Sequence, residues 1–423
     1  MKKPRKFSII ALNKPCVGFS ECRLRRVCCW PERSVHSFLT TVLLIAFAAT
    51  LAFSLPLHAA EPHFLGPQTC ATSLCHGGAG DARHQFHIWS KRDFHSGSYA
   101  TLTTARSEQI IRALESRGAT KNDATTAPSC VACHAPLTGL PSKPDPTGSD
   151  HYKLDPRDGV SCESCHGAAE SWIRSHTRTD YSHQRRVAAG QRDLRNLYSR
   201  ANACVACHQN LDAPLLAAGH PELLFELDGQ TLAEPRHWRE QGSYNGAQAW
   251  FVGQAVALRE LSAAATTDKP QSRSAVESQT ALEWLFRNLG QIDPDITDPK
   301  QLPMEASKAS QAIKIADAIA RDAAQIEWSD DLTLLCLNRL ASVAGDFETR
   351  RQKLATHARR AERLALAIDR LVASLDAKKT KVLEPHINQI FKLSQSSHDF
   401  DPKAFAAELR AFQSELKQSG LTP

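Results

Sequence analysis

Four short stretches hold the residues best suited to chemistry: CATSLCH at 70–76, CVACH at 130–134, SCESCHG at 161–167 and CVACH at 204–208. Three contain Cys-x-x-Cys-His, and the first has four residues between its cysteines instead of two. Zinc sites use cysteine pairs, but their further ligands need not follow the second cysteine directly. A disulfide framework gives no reason for the histidine either. Covalent haem does: two thiols add to the two vinyl groups of the porphyrin, and the adjacent imidazole reaches the iron from the same side. Chance would give about 0.02 such motifs in a chain of this composition. Cys70, Cys75, Cys130, Cys133, Cys162, Cys165, Cys204 and Cys207 therefore read as attachment points for four haem c groups, with His76, His134, His166 and His208 as proximal ligands. For the first unit the competing reading is a Cys70–Cys75 disulfide. The following Gly-Gly supplies small residues that let backbone lie close to a flat cofactor.

The opposite face of each iron decides what it does. Methionine there raises the potential and a second histidine keeps it lower. Beyond the first 60 residues the only methionine is Met304, far from the motifs, whereas 13 histidines fall within 61–240. Nine of these are not proximal: His63, His84, His87, His95, His151, His176, His183, His220 and His237. At most four can be distal ligands, so at least five have other roles. His176 stands on AAESWIRSH, which reads as a helix pointing away from its own haem toward a neighbour. His95 follows HIWSKRDF, where Trp89 and Phe94 are candidates for packing on porphyrin or for ordinary core. His220 sits in a Gly-His-Pro turn beside an apolar run, and His237 lies in PRHW. These four are the candidate distal ligands.

Several elements must position these groups. Short helices are expected at each Cys-x-x-Cys-His, joined by long loops such as 135–159, with little sheet. After Trp238 the motifs stop and Ala-rich amphipathic segments begin. Leu354, Ala358, Ala361, Leu364, Ile368, Leu371 and Leu375 recur at three and four. Ser307 to Trp328 reads the same way, and Asp401-Pro402 opens a last helix bearing Phe405, Leu409, Phe412 and Leu416. Linkers are read at 264–275 and 291–304. The expected fold is mainly α: a haem-binding domain over 61–240, then a bundle-like helical domain over 241–423 serving as a scaffold or docking surface. Cys336 reads as a buried core thiol.

The chain has 423 residues, 51 Lys+Arg and 45 Asp+Glu, a formal charge of +6. The basic excess lies in residues 1–60, and the remainder is close to neutral, so charge implies no nucleic-acid partner. In the leader a basic region precedes an apolar run at 38–60, with Ala59 and Ala60 as a cleavage site. This reads as a signal peptide, the competing reading being an uncleaved anchor; either implies export, to the periplasm or another extracytoplasmic space. The four cysteines at 16–29 are unusual for such a segment.

In the motifs CHGG, W…DFHSGSY, GVSCESCHG with W…H at 172–176, and AAGHPELLFEL…PRHW, the chain resembles the multihaem cytochromes related to the cytochrome c-554 family. The likeness extends weakly to AWFVGQAVALREL at 249–261. It implies a tetrahaem electron-transfer protein in which histidines cross-ligate haems other than their nearest, matching His95 and His176. It also implies that one haem can lack a sixth ligand, here that of Cys130 and Cys133. The four-residue gap at Cys70–Cys75 departs from the pattern.

The expected function is electron transfer between redox partner proteins through mostly bis-His haems. A second reading is a haem enzyme acting on a small nitrogen or sulfur compound at one open iron, with Tyr152 and Lys153 as proton donors. A third is a subunit of a membrane electron-transfer complex.

Overall fold

Short helices carry the attachment motifs, and longer ones follow them. The computed structural model describes residues 62–140, 154–240, 244–269, 271–303, 308–349, 352–395 and 399–422. The helices of the first half are α1 (Gln85–Arg92), α2 (Ala105–Glu115), α3 (Pro128–His134), α4 (Cys162–His166), α5 (His183–Ala188), α6 (Leu197–His208), α7 (Ala213–Ala217) and α8 (Leu227–Ala233). The second half adds α9 (Gly246–Ala264), α10 (Arg273–Leu289), α11 (Ala309–Ala323), α12 (Asp330–Ala341), α13 (Ala344–Phe347), α14 (Leu354–Ala373), α15 (Ala377–Thr380), α16 (Glu384–Ser394) and α17 (Pro402–Gln418). No strand occurs among the described residues, in line with the mainly α reading.

The amphipathic patterns become buried faces. On α14, Ala358, Ala361, Leu364, Ile368 and Leu371 are buried, while Leu354 at the first turn is exposed and Leu375 lies past the end. Asp401 caps α17, its carboxylate accepting from the Lys403 and Ala404 amides, and Phe405, Leu409, Phe412 and Leu416 all face inward. The helix expected over 307–328 stops at Ala323; Trp328 lies beyond it and donates its indole N–H to Thr333 at 2.9 Å. Helix α9 is buried on every side from Ala249 to Leu258, a run with one polar side chain, Gln254. It packs on α6, α8, α10, α11 and α14.

Residues 62–423 form one compact unit. Its largest core runs from Leu197 to Leu421 and takes in α6, Phe225 and Leu227 with the later helices. Residues before Leu197 contribute two much smaller clusters, one around Leu102, Ile110 and Leu114 and one of Leu65, Ala169 and Trp172. The first half thus buries little apolar protein of its own.

One expected helix is absent. His176 lies in a short 3-10 turn, Ser175–Thr177, rather than on an α-helix. The Ser175 and Thr177 hydroxyls donate back to the Trp172 and Arg174 carbonyls, offering the backbone an alternative to helix. No helix among the described residues is long and apolar enough to cross a membrane. The leader with its apolar run, Met304, His151, Tyr152 and Lys153 lie outside the described residues.

Candidate haem centres

In motifs two, three and four helical spacing brings the Cys, Cys, His set onto one face, since residues three and four apart are neighbours. Motif two occupies α3, begun by Pro128 at its first turn. Motif three is α4, closed by a reciprocal pair of bonds between Ser161 and Ser164. Motif four ends α6, whose N-cap is Asn196. Motif one is a folded loop instead: the Cys75 amide donates to the Thr72 carbonyl at 2.9 Å, and the His76 amide to the Cys70 carbonyl at 3.1 Å. A Cβ on Gly77 would sit 1.8 Å from the Ala71 carbonyl oxygen, so the longer insert folds back onto this glycine. The glycines of CHGG answer the loop's own backbone. No disulfide joins Cys70 to Cys75.

The four proximal and four candidate distal histidines meet in pairs, each once. Ring centroids are 6.1 Å apart for His76 and His176, 6.0 Å for His208 and His95, 6.5 Å for His134 and His220, and 6.5 Å for His166 and His237. Two imidazole nitrogens each about 2 Å from one metal, on opposite sides, put their ring centroids roughly 6.3 Å apart. The spacing is therefore that of two rings sharing one ion between them. The remaining described histidines before residue 240 have other partners: His63 with Glu170, His84 with the Gly80 carbonyl, His87 with the Gly77 carbonyl, and His183 with Asp193.

Most paired rings are oriented through Nδ1, which leaves Nε2 for a metal. His76 contacts Gln85 at 3.0 Å, His134 the Ser98 carbonyl at 3.0 Å and the Thr101 hydroxyl at 2.9 Å, and His176 the Ile173 carbonyl at 2.5 Å. His220 meets the Pro221 carbonyl at 2.9 Å, and His237 lies 3.4 Å from that of Pro235. His208 is 3.4 Å from the Gln230 amide. His95 differs, with Asp93 Oδ1 at 3.0 Å. Its loop is locked from motif three: the Val160 amide donates to the His95 carbonyl, and Gly159, at φ +59, would place a Cβ 2.6 Å from that oxygen. Trp89 braces the same place as ordinary core, donating to the Val160 carbonyl, whereas Phe94 is exposed.

Burial and neighbouring positive groups push His166 down to about 4, which keeps its ring neutral and able to ligate. Burial also lowers His176 and His208. Burial pushes the Cys165 and Cys204 thiols up to about 12 and about 11, holding them as thiols. Burial raises Asp93, but the ring and backbone N–H of His95 outweigh it and hold the carboxyl below its ordinary range.

Contacts between thiols tie the motifs together. The Cys70 thiol neighbours that of Cys162, and the Cys133 thiol that of Cys207. Helices α3 and α4 both pack on α6, so motifs two and three each adjoin motif four. The indole nitrogen of Trp172 is buried without a protein partner among the described residues, and its ring stands edge-on to His176 at 5.6 Å. An orphaned donor beside a paired imidazole, free thiols and ring pairs at a metal-sharing distance together fit haem at these positions.

Some site residues went unread in the sequence. Glu163 occupies the variable position where motifs two and four carry Val131 and Val205, and that contrast was the available signal. It is 2% exposed and accepts from the amides of Leu65 at 2.9 Å, Gly66 at 2.7 Å and Ala169 at 2.8 Å, tying the strap at 62–66 to motif three. Asp93, Gln85 and Gln230 carried no spacing signal.

Residues 69–167 match the family model described as cytochrome c554 and c-prime, a segment that includes the first three motifs. No curated protein and no solved structure matches the chain. With covalent haem c implied by that family and the motif residues arranged to hold it, the chain is a c-type cytochrome related over residues 69–167 to the cytochrome c554 and c-prime family.

Proposed function

We propose that this protein is an exported tetrahaem electron-transfer cytochrome in which every iron is held between two histidines. The observation that carries the reading is the one-to-one pairing of His76 with His176, His134 with His220, His166 with His237 and His208 with His95 at 6.0–6.5 Å. Bound haem supplies one-electron chemistry between ferric and ferrous iron. The chain's part would be to offer each haem iron two imidazoles, leaving no place for a substrate, and to hold most of these rings from Nδ1. The Cys70 thiol beside Cys162 and the packing of α3 and α4 on α6 put motif one next to three, three next to four and four next to two, an order that supports passage between separate donor and acceptor proteins. The basic, then apolar leader supports export. An enzymatic reading at motif two requires His220 to be absent from the His134 ring, and the 6.5 Å spacing counts against it.

The test is electron paramagnetic resonance of the oxidised, haem-loaded protein, with haems counted by intact mass. Four haems, all low-spin, are expected. A high-spin haem that responds to nitrite, hydroxylamine or nitric oxide would turn the assignment to an enzyme, and a mass without haem would refute it.

A further inference from the structure

The eight paired histidines are not held alike. His76 faces a side-chain amide, and His134, His176, His220 and His237 face backbone carbonyls. His208 lies 3.4 Å from the Gln230 amide nitrogen, and the charges that act on His166 are all positive, Arg192 among them, whose guanidinium donates to the carbonyls of Ser164 and Cys165. His95 instead has a carboxylate: Asp93 Oδ1 lies 3.0 Å from its Nδ1, and the same oxygen accepts from the His95 amide at 2.9 Å. Asp93 is 7% exposed, so water screens its charge little. Glu234 brings a second carboxyl group, with one oxygen within 4.8 Å of both Asp93 and His95.

An anionic acceptor on the far nitrogen of a metal-bound imidazole draws its proton and makes the ring a stronger donor. That favours the more positive state of the metal, and burial strengthens the effect. Resting on the bis-His reading above, we propose that Asp93 is a positioning residue that makes the haem held by Cys204, Cys207, His208 and His95 the lowest-potential haem of the four. Asp93 fixes the direction of the ring through its two bonds and sets the donor strength of that ring through its charge. The neutral acceptors at His76, His134, His176, His220 and His237 do only the first.

The experiment is a redox titration of the haem-loaded full chain, its absorbance resolved into individual haems, for the wild type, Asp93→Asn and Gln85→Glu. Intact mass and the low-spin count come first; a wild type without haem, or with high-spin iron at these pairs, overturns the ligand reading and this proposal with it. With four low-spin haems present, Asp93→Asn is expected to raise only the lowest midpoint. The reduction equilibrium should shift about tenfold, or about 59 mV for a one-electron couple. Gln85→Glu gives His76 a carboxylate partner and is expected to lower a different midpoint, about threefold in its equilibrium because that site is less enclosed. Wild-type midpoints in Asp93→Asn, or one even shift of all four, would overturn the proposal. Should Asp93→Asn fail to load haem, Gln85→Glu decides alone, and unchanged midpoints there overturn it.

Discussion

Most of the paired histidines are held through Nδ1, so single-atom contacts have measurable consequences. Replacing His220 by Ala leaves His134 facing an open position across the iron. The expected outcome is one high-spin haem among three low-spin ones by electron paramagnetic resonance; four unchanged low-spin signals would show that His220 is not a ligand. Glu163 acts on the backbone instead. Its carboxylate gathers amide donors at 65, 66 and 169 in a buried spot. Glu163→Gln turns an amide N–H₂ toward donors it cannot accept from, at a cost of about 1.5–3 kcal/mol. Chemical denaturation of the haem-loaded protein would measure that loss, and an unchanged midpoint would mean the strap at 62–66 contributes nothing.

Among the elements, α6, α9 and α11 meet at a shared ionic cluster. Asp317 on α11 accepts from the Tyr198 hydroxyl at 2.6 Å, from Arg259 at 2.8 Å and from Arg321 at 2.7 Å. Burial raises its carboxyl, but these donors outweigh that and hold it below the ordinary carboxylate range. A lowered acid contributes stability above its unfolded pKa and loses it as pH falls through the folded one. Asp317→Asn is therefore expected to cost about 1–2 kcal/mol at neutral pH, reduced from the buried value because the site is partly exposed. The gap between the two proteins should close on acidification. Equal stability at neutral pH, or a gap that widens in acid, would contradict this sign.

For the described unit as a whole, the later helices hold the segment that follows His220. Arg363, buried on α14, donates to the Phe225 carbonyl at 3.2 Å and to Gln254 at 3.1 Å, and Arg359 pairs with Glu222 at 2.8 Å. Gln209 donates to the Ala257 carbonyl at 2.8 Å just beyond motif four. A chain ending at 240 would uncover Leu197, Ala201, Val205, Phe225 and Leu227, which now lie in the common core. Such a chain is expected to aggregate or to lose low-spin signals, read by size-exclusion chromatography and paramagnetic resonance. A monomer with four low-spin haems would instead show that the helices are dispensable to the haem unit.

Local chemistry is legible in the order of residues. Covalent attachment needs thiols and a histidine at fixed short spacing, so the motifs could be read directly. The faces of α14 and α17 were equally legible, because a helix repeats its core residues every three or four positions. His176, which pairs with His76, was singled out although its helix was misjudged, since two hydroxyls nearby compete for the backbone. Folding alone settles which of the other histidines faces which motif. The ring opposite a motif histidine comes from another part of the chain, and no periodicity links His95 to His208 or His134 to His220. The same holds for Asp93 and Glu163, whose roles depend on burial and on partners brought close by folding. Attachment chemistry is written in neighbouring residues, while axial pairing and the charge around each ring arise from contacts between distant ones.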